Sequence, residues 1–418
     1  MRIITLKVDE FNNYAKQHKY ASFYQTSSYA NFRNNLEKYD IHYLGFEDNG
    51  VLIGATMVIY KELFWGYKYA YAPRGFLIDY TNKRLINELT YRLINLLKKQ
   101  KFIFIKIDPS IIIRERDFEG KTIYQSETAD GIISTLTQNN CEHFGFNLYN
   151  ESLLSRFNAF AKLIPNIKNL YNSFSKEVKE NIKEANRMAI KVNVDEDNNI
   201  ENFYSFIKPA YGRKGLRYFK NLFESFHESD DIKIFYASID SAKYAQNTNN
   251  LYNSELEKNE GLTKIIESGN NKYDINRVIN DKIESDKILN IYKKDIIVST
   301  DFLRKYPDGL ICGAALVIKQ NKGAEIIINY TPKQYNHFKV NDILTYEIMK
   351  YYANRKLKYI NLGAVTGNFD CKSKFYPILK SKQGFNSSII EYIGEFNLII
   401  NPFMYKVYKN KAKKQKLV

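Results

Sequence analysis

The chain has 418 residues, of which 44% are hydrophobic and 26% are charged, and its formal net charge is +16. This length is enough for two or three globular units with a core each, and the balance of hydrophobic and charged residues excludes an intrinsically disordered chain. The excess of positive charge favours polyanionic partners, namely nucleic acid, an anionic membrane surface or phosphorylated substrates.

The N-terminus and the cysteines indicate the compartment. Residues 1–10 have no apolar h-region and no small-residue cleavage site, so they do not predict a signal peptide. No apolar run approaches the ~20 residues that a membrane span needs. Cys141, Cys312 and Cys371 are odd in number and far apart, which argues against a disulfide framework. We therefore expect a cytoplasmic protein.

The first part of the chain alternates segments typical of strands with a segment typical of a helix. Residues 54–60, 68–72 and 102–107 are short apolar runs, which predicts strands. Residues 81–101 carry leucines at helical spacing, which predicts an amphipathic helix. This alternation predicts an α/β layer structure, which we assign to residues 1–150.

The second half of the chain repeats the order strand, strand, helix, strand. The segments concerned are predicted helices at 173–188 and 341–357 and predicted strands at 232–239, 313–319, 325–329 and 359–363. Because this order is similar to that of residues 54–107, we expect a second, related α/β domain over residues 151–237 and 309–403.

A polar segment at residues 238–308 interrupts the second domain. It breaks at Gly269-Asn270-Asn271, and apolar residues from Leu289 to Leu303 follow at close to three- and four-residue spacing. Two helices joined by a short Gly/Asn turn should fold back on each other, so we predict an antiparallel two-helix coiled-coil arm. The alternative is a flexible surface insertion.

The chain ends in a basic tail, residues 404–418. A Lys-rich end is most often a solvated end. Near an anionic bilayer, however, each lysine contributes about 1 kcal/mol, so this tail favours peripheral contact with the inner membrane face.

Several common catalytic motifs are absent from the sequence. It has no GxxxxGK[ST] phosphate loop, no GxGxxG, no HExxH and no CxxC pair, and its five histidines have no metal-ligand spacing. We therefore predict no metal site. What remains is a set of cationic and tyrosine side chains at turns and strand ends, where they could cradle a diphosphate: Arg33, Arg74, Tyr211, Arg213, Lys214, Lys380 and Lys382.

Motifs that run in order over almost the whole chain resemble the FemABX family. The loop Gly363-Ala-Val-Thr-Gly367 comes before Lys382-Gln-Gly-Phe385 and Tyr392-Ile-Gly-Glu-Phe396, an order that resembles the C-terminal signature of that family. The other matching segments are Tyr71-Ala-Pro-Arg-Gly75, Lys106-Ile-Asp-Pro109, Gln25 with Tyr29 and Arg33, and Tyr211-Gly-Arg213 with Gly215-Leu216. The predicted hairpin also falls where the FemA and MurM branch carries a two-helix arm.

The resemblance implies two GNAT-like domains that do not use coenzyme A. It implies an enzyme that moves an amino acid from aminoacyl-tRNA to an amine in the stem peptide of lipid II or of its UDP-linked muramyl pentapeptide precursor. We favour lipid II because of the hairpin. The ester of the tRNA supplies the activated carbonyl, so the resemblance implies no metal and no organic cofactor.

The resemblance also assigns roles to individual residues. Arg33 and Arg213 correspond to cations that hold the phosphates of the precursor, and Arg74 and Tyr211 lie in family motifs as further substrate-binding candidates. Lys382 resembles an essential lysine near the carbonyl under attack, where an ammonium can stabilise the oxyanion. Asp108 and Glu395 are candidates to orient or deprotonate the attacking amine. The sequence departs from the family at Arg33 (usually Lys), Tyr29 (Trp), Ser381 (Phe) and Pro377 (Gly).

Two other functions remain open at this point. One is a GNAT-like N-acyltransferase that uses coenzyme A on a cell-envelope substrate, although the sequence lacks the usual pyrophosphate loop. The other is a non-catalytic RNA-binding or scaffold protein that binds its partners through the basic surface and the hairpin.

Overall fold

A computed structural model describes residues 1–149, 153–269 and 274–414. The predicted domain boundary at residues 150 and 151, Asn270 and Asn271 of the predicted turn, and the last four residues of the tail lie outside the described residues. The described chain contains two β-sheets, with helices packed on each.

The strands of the described chain are β1 (Arg2–Thr5), β2 (Asp40–Asp48), β3 (Val51–Phe64), β4 (Tyr67–Ala72), β5 (Phe102–Ile107), β6 (Ile112–Arg116), β7 (Thr122–Gln125), β8 (Cys141–His143), β9 (Phe157–Lys162), β10 (Ile190–Val194), β11 (Ile232–Ile239), β12 (Leu310–Gln320), β13 (Gly323–Tyr330), β14 (Tyr359–Ala364), β15 (Ser387–Tyr392) and β16 (Phe396–Ile399).

Its α-helices are α1 (Val8–Gln17), α2 (Ser27–Glu37), α3 (Lys83–Lys99), α4 (Ala129–Gln138), α5 (Ile167–Asn172), α6 (Lys176–Arg187), α7 (Ile200–Tyr211), α8 (Gly215–His227), α9 (Ser241–Ser268), α10 (Ile275–Lys305), α11 (Val340–Asn354), α12 (Tyr376–Lys380) and α13 (Pro402–Lys414). Short 3-10 turns cover Gly212–Lys214 and Lys333–Phe338.

Sheet membership crosses the predicted domain boundary near residue 150. The first sheet has the order β1-β2-β3-β4-β5-β16-β8, so it contains a strand from the end of the chain. The second has the order β10-β11-β12-β13-β14-β9-β15-β6-β7, so it contains two strands from the first 150 residues. The predicted split followed chain order, whereas strands pair wherever a free sheet edge can be hydrogen-bonded.

The chain crosses from the second sheet to the first at Gly394, between β15 and β16. Its φ of +96° favours glycine, and a Cβ there would lie 3.2 Å from the Gly145 carbonyl oxygen and 3.2 Å from His143 Nε2. This crossing places the strand-end residues of both sheets close together.

An apolar core shared by both units fixes their relative position. It combines side chains of α1, α2 and β3 with side chains of α7, α8, β11 and β12. Phe23 and Phe226, which belong to the two different units, pack edge to face with ring centroids 5.8 Å apart.

Most predicted elements are present with shifted ends. The strands at 102–107 and 232–239 have the predicted bounds, and the helix predicted at 81–101 spans Lys83–Lys99. The helix predicted at 173–188 is present as α6, which begins after Ser175, whose hydroxyl caps the Val178 N–H, whereas the short helix α5 that precedes it was not predicted.

The polar insertion is a helix pair, as predicted, and not a flexible segment. α9 and α10 pack on each other, and halfway along them Asn259 Nδ2 donates to Ser285 Oγ at 3.2 Å and to Asp286 Oδ1 at 2.8 Å. At its base, Tyr244 and Phe302 join the core of the second unit. With 28 and 31 residues, the helices extend about 40 Å.

The described part of the basic tail, residues 404–414, is helical and belongs to α13. Met404 and Tyr405 are buried, and Tyr405 and Tyr408 pack on Phe104 of β5. The sequence analysis did not predict this packed helix because lysines alternate with its apolar residues. Within the described residues, no helix is both long and apolar enough to span a membrane.

Candidate active site

Lys382 lies in the turn between α12 and β15. Leu379 and Phe385, on either side of it, are fully buried and anchor the turn. The Lys382 N–H donates to the Leu379 carbonyl oxygen at 3.1 Å, and Ser387 Oγ donates to the Lys382 carbonyl oxygen at 2.7 Å. The backbone of Lys382 is therefore fixed, and its side chain extends to the end of β14.

The Lys382 ammonium lies against backbone and faces a cleft. It donates to the Leu362 carbonyl oxygen. Burial lowers the pKa of Lys382 to about 8, and the negative charge of Glu325 acts in the opposite direction. Gly363, at φ +99°, leaves space here, since a Cβ on it would lie 3.5 Å from Lys382 Nζ.

Glu325, on β13, is a site residue that the sequence analysis missed. Tyr24 Oη donates to Glu325 Oε1 at 3.1 Å. Burial raises the pKa of Glu325, while Arg74, Asn361, Tyr24 and Lys382 lower it. The available signal was a carboxylate within the otherwise apolar segment Ala324-Glu-Ile-Ile-Ile328.

Arg74 is held in an unusual backbone conformation at the end of β4. Its φ is +52°, which a non-glycine residue adopts only at a cost, and its N–H donates to Asp108 Oδ1 at 2.6 Å. Gln25 secures the same turn by donating to the Pro73 carbonyl oxygen at 2.8 Å. The guanidinium donates to the Ser155 carbonyl oxygen at 2.8 Å and lies 4.5 Å from the Tyr392 ring centroid.

Three of the predicted site residues line one cleft of about 580 Å³ between the two units, namely Arg74, Tyr211 and Lys382. Tyr24 and Glu325 line it as well. A larger cleft of about 1240 Å³ adjoins it and shares Asn329, Asn341 and Ser381 with it. Of the four departures from the family, Ser381 is part of both walls, and Pro377 is in the first turn of α12, just before Lys382 in the chain.

Asp108 and Glu395 lie behind this cleft and do not line it. Asp108 accepts from the Arg74 N–H and, at 2.9 Å, from Tyr71 Oη, and burial raises its pKa to about 6. Glu395 accepts from Lys106 Nζ at 2.7 Å and from the Leu153 N–H at 3.0 Å. Both carboxylates therefore hold cleft-lining backbone in place, and a role in orienting or deprotonating the attacking amine stays a prediction.

Arg33 and Arg213 lie away from the Lys382 cleft, where α2 meets α8. Arg33 is largely buried, donates to Tyr29 Oη at 3.1 Å and to Glu37 Oε2 at 2.9 Å, and lies over the Tyr39 ring. Arg213 is exposed on the 3-10 turn that follows Tyr211. The neighbouring Lys214 is close enough for Arg33 to contribute to the lowering of its pKa, which burial dominates.

In the described part of the chain, no group of three His, Cys, Asp or Glu side chains lies close enough to hold a metal ion. The described residues give the cleft two fixed cations, Arg74 and Lys382, and one carboxylate, Glu325.

Comparison with known proteins identifies the family. The model of the FemAB family matches residues 6–414. The chain belongs to the FemAB family. This membership confirms the resemblance stated above, and it confirms the predicted enzyme class, an aminoacyltransferase.

Curated FemAB relatives match along their full length. The chain is 23% identical to the lipid II:glycine glycyltransferase of Staphylococcus haemolyticus, over 97% of this chain and 95% of the relative. It is 23% identical to the aminoacyltransferase FemA of Staphylococcus epidermidis, over 100% of both chains. The crystal structure of FemX, at 20% identity, covers 97% of this chain and 99% of FemX with a TM-score of 0.74, which confirms the predicted fold.

Proposed function

We propose that this FemAB protein transfers an amino acid from aminoacyl-tRNA to the stem-peptide amine of lipid II. The observation that carries the proposal is the joint position of Lys382 and Arg74 on one cleft between the two units. Both cations are fixed by backbone contacts, so neither has to reorganise when negative charge develops nearby.

In this proposal the reaction requires no metal ion and no organic cofactor in addition to the two substrates. The amine nitrogen attacks the ester carbonyl of the aminoacyl-tRNA, and a tetrahedral oxyanion forms. The ester C–O bond then breaks, the ribose hydroxyl leaves with a proton, and the amine loses one. In this proposal the Lys382 ammonium stabilises the oxyanion, an interaction that contributes several kcal/mol in comparable sites.

The phosphates of the acceptor would bind where α2 meets α8. Arg213 is exposed there, and Arg33 is held by Tyr29 and Glu37 with its guanidinium already oriented. Cations of this kind recognise phosphate oxygens. Since lipid II is embedded in the bilayer, the protein would work in peripheral contact with the inner membrane face, and the helical arm is a candidate contact for tRNA.

An in vitro transfer assay tests the proposal. Purified protein is mixed with tRNA charged with labelled amino acids and with lipid II or the UDP-linked muramyl pentapeptide. We expect label in the acceptor and its loss with Lys382→Ala. Label transfer from an acyl-coenzyme A instead would favour the N-acyltransferase alternative. No transfer from any donor, by folded protein that still binds tRNA, would favour the non-catalytic alternative.

A further inference from the structure

The tip of the β3–β4 hairpin carries the single tryptophan of the chain. Trp65 and Gly66 form the two-residue turn, with φ of +54° and +72°. A two-residue hairpin turn with both φ positive strongly prefers Asn-Gly, and a bulky side chain there costs conformational energy. Trp65 is also 69% exposed, and its ring packs edge to face on Phe64 with centroids 5.2 Å apart, so the fold provides little packing to offset that cost.

Lysines surround this aromatic tip. The Lys411 ammonium of α13 lies 4.3 Å from the Trp65 ring centroid and 4.0 Å from that of Phe64. The Lys101 ammonium lies beside Gly66. Helix α3, which precedes Lys101 in the chain, ends in Lys98 and Lys99. The acidic group at the tip is Glu62, which accepts from the Gly66 N–H at 3.1 Å. Tryptophan flanked by lysines is typical of surfaces that contact the interface of an anionic bilayer.

Strand β4 connects this tip to the cleft. It leads from the turn at Trp65 to Arg74, and nine extended residues span about 30 Å at most. Between the two ends, Tyr69 Oη contacts Tyr39 Oη at 2.5 Å, and the Arg33 guanidinium lies over the Tyr39 ring at 4.9 Å. The candidate phosphate-binding cation therefore lies between the tip and the cleft.

We propose that the surface formed by Phe64, Trp65, Lys101 and Lys411 docks the protein on an anionic lipid bilayer. Trp65 and Phe64 enter the interfacial region, and the lysines contact anionic headgroups. In this orientation, which rests on the proposed function, the diphosphate of lipid II is held at the membrane surface near Arg33 while its stem peptide extends toward Lys382.

Intrinsic fluorescence tests the docking directly, because Trp65 is the single source of tryptophan emission. We expect vesicles that contain phosphatidylglycerol to shift the emission of the full chain to the blue, and vesicles of pure phosphatidylcholine or high salt to abolish most of the shift. An emission spectrum that anionic vesicles leave unchanged would overturn the proposal.

Vesicle co-sedimentation compares variants with matched controls. Trp65→Asn suits the turn and should fold, yet we expect it to bind anionic vesicles more weakly, whereas Tyr91→Ala, with the same 69% exposure on α3, should bind like the wild type. Lys411→Glu should weaken binding at least about fivefold, and Lys168→Glu, exposed on α5, controls for net charge. Equal vesicle binding by Trp65→Asn and the wild type contradicts the proposal. A variant Trp65→Asn that loses tRNA binding instead of vesicle binding also contradicts it.

The choice of acceptor separates this inference from the proposed function. With the soluble UDP-linked precursor, Trp65→Asn should transfer at the wild-type rate, and with lipid II in vesicles it should be slower. If the wild type transfers to no acceptor but docks through Trp65, the proposed function fails and the surface stands. If the wild type transfers and Trp65→Asn docks normally, the proposed function stands and the docking surface fails.

Discussion

The Glu325 carboxylate and the Lys382 ammonium line the same cleft, and the charge of each acts on the pKa of the other. Burial lowers the pKa of Lys382 and raises that of Glu325, so each side chain alone would tend toward its neutral form. Their opposite charges counteract both shifts. Glu325 is thus the carboxylate that favours the ammonium form of Lys382 at neutral pH, the form that can stabilise an oxyanion.

Replacing Lys382 tests its role in the chemical step. We expect Lys382→Ala to lower the turnover number for transfer by about 10²- to 10³-fold, the usual loss when an oxyanion-stabilising donor is removed. Lys380→Ala is the matched control, because Lys380 is a nearby lysine whose ammonium pairs at the surface with Glu177 at 3.2 Å. A similar loss in both variants would contradict a specific role for Lys382.

The pH profile of transfer tests the coupling between Lys382 and Glu325. In the proposed mechanism the ammonium is the active form, so the rate should fall as pH rises through about 8. Glu325→Gln removes the negative charge that opposes the lowering of the Lys382 pKa, so the alkaline fall in rate should move to lower pH. At a fixed pH on the alkaline side, the rate should be about tenfold lower for each pH unit by which the fall moves. Glu177→Gln, at an exposed carboxylate, should leave the profile in place. An unchanged profile in Glu325→Gln would refute the coupling.

Asp108 should make the stability of the protein depend on pH in a defined direction. Its pKa is raised from 3.8 to about 6 in the folded protein, so between these values the folded state holds a proton that the unfolded state has lost. The stabilisation is complete below about pH 4 and is lost as pH rises through about 6.

Urea unfolding of the wild type and Asp108→Asn at pH 4 and pH 7 measures this effect. We expect the free energy of unfolding of the wild type, relative to the variant, to decrease by roughly 3 kcal/mol over this range. Asp197→Asn, at an exposed carboxylate, controls for the change in net charge. A constant difference between wild type and Asp108→Asn would show that Asp108 does not titrate in this way.

Arg213 should affect acceptor binding and not the chemical step. Its side chain is exposed, so Arg213→Ala should fold normally. Loss of one cation–phosphate contact should raise the KM for the acceptor about tenfold and leave kcat unchanged. Lys208→Ala, which removes an exposed cation from α7, should change neither constant. A fall in kcat with unchanged KM would place Arg213 in the chemistry and not in binding.

Local patterns predicted much of this fold because they report on burial along one segment. The leucines of α3 mark one buried face of a helix, and the apolar runs of β5 and β11 mark buried strands, which identifies each element without knowledge of its neighbours. The six-residue helix α5 was missed because it has fewer than two turns, too few for a helical spacing of apolar residues to be recognised.

The sequence by itself determined the family motifs, the helical arm, and the cationic and tyrosine residues at turns, of which Arg74, Tyr211 and Lys382 line the cleft. Only the tertiary structure decided that Glu325 faces Lys382, that Asp108 supports the Arg74 turn from behind, and that β16 joins the first sheet. The physical reason is the separation along the chain of the residues that each interaction joins. Periodicity and capping act over a few residues, whereas strand pairing between β5 and β16 and the charge coupling across the cleft join residues that are far apart in the chain.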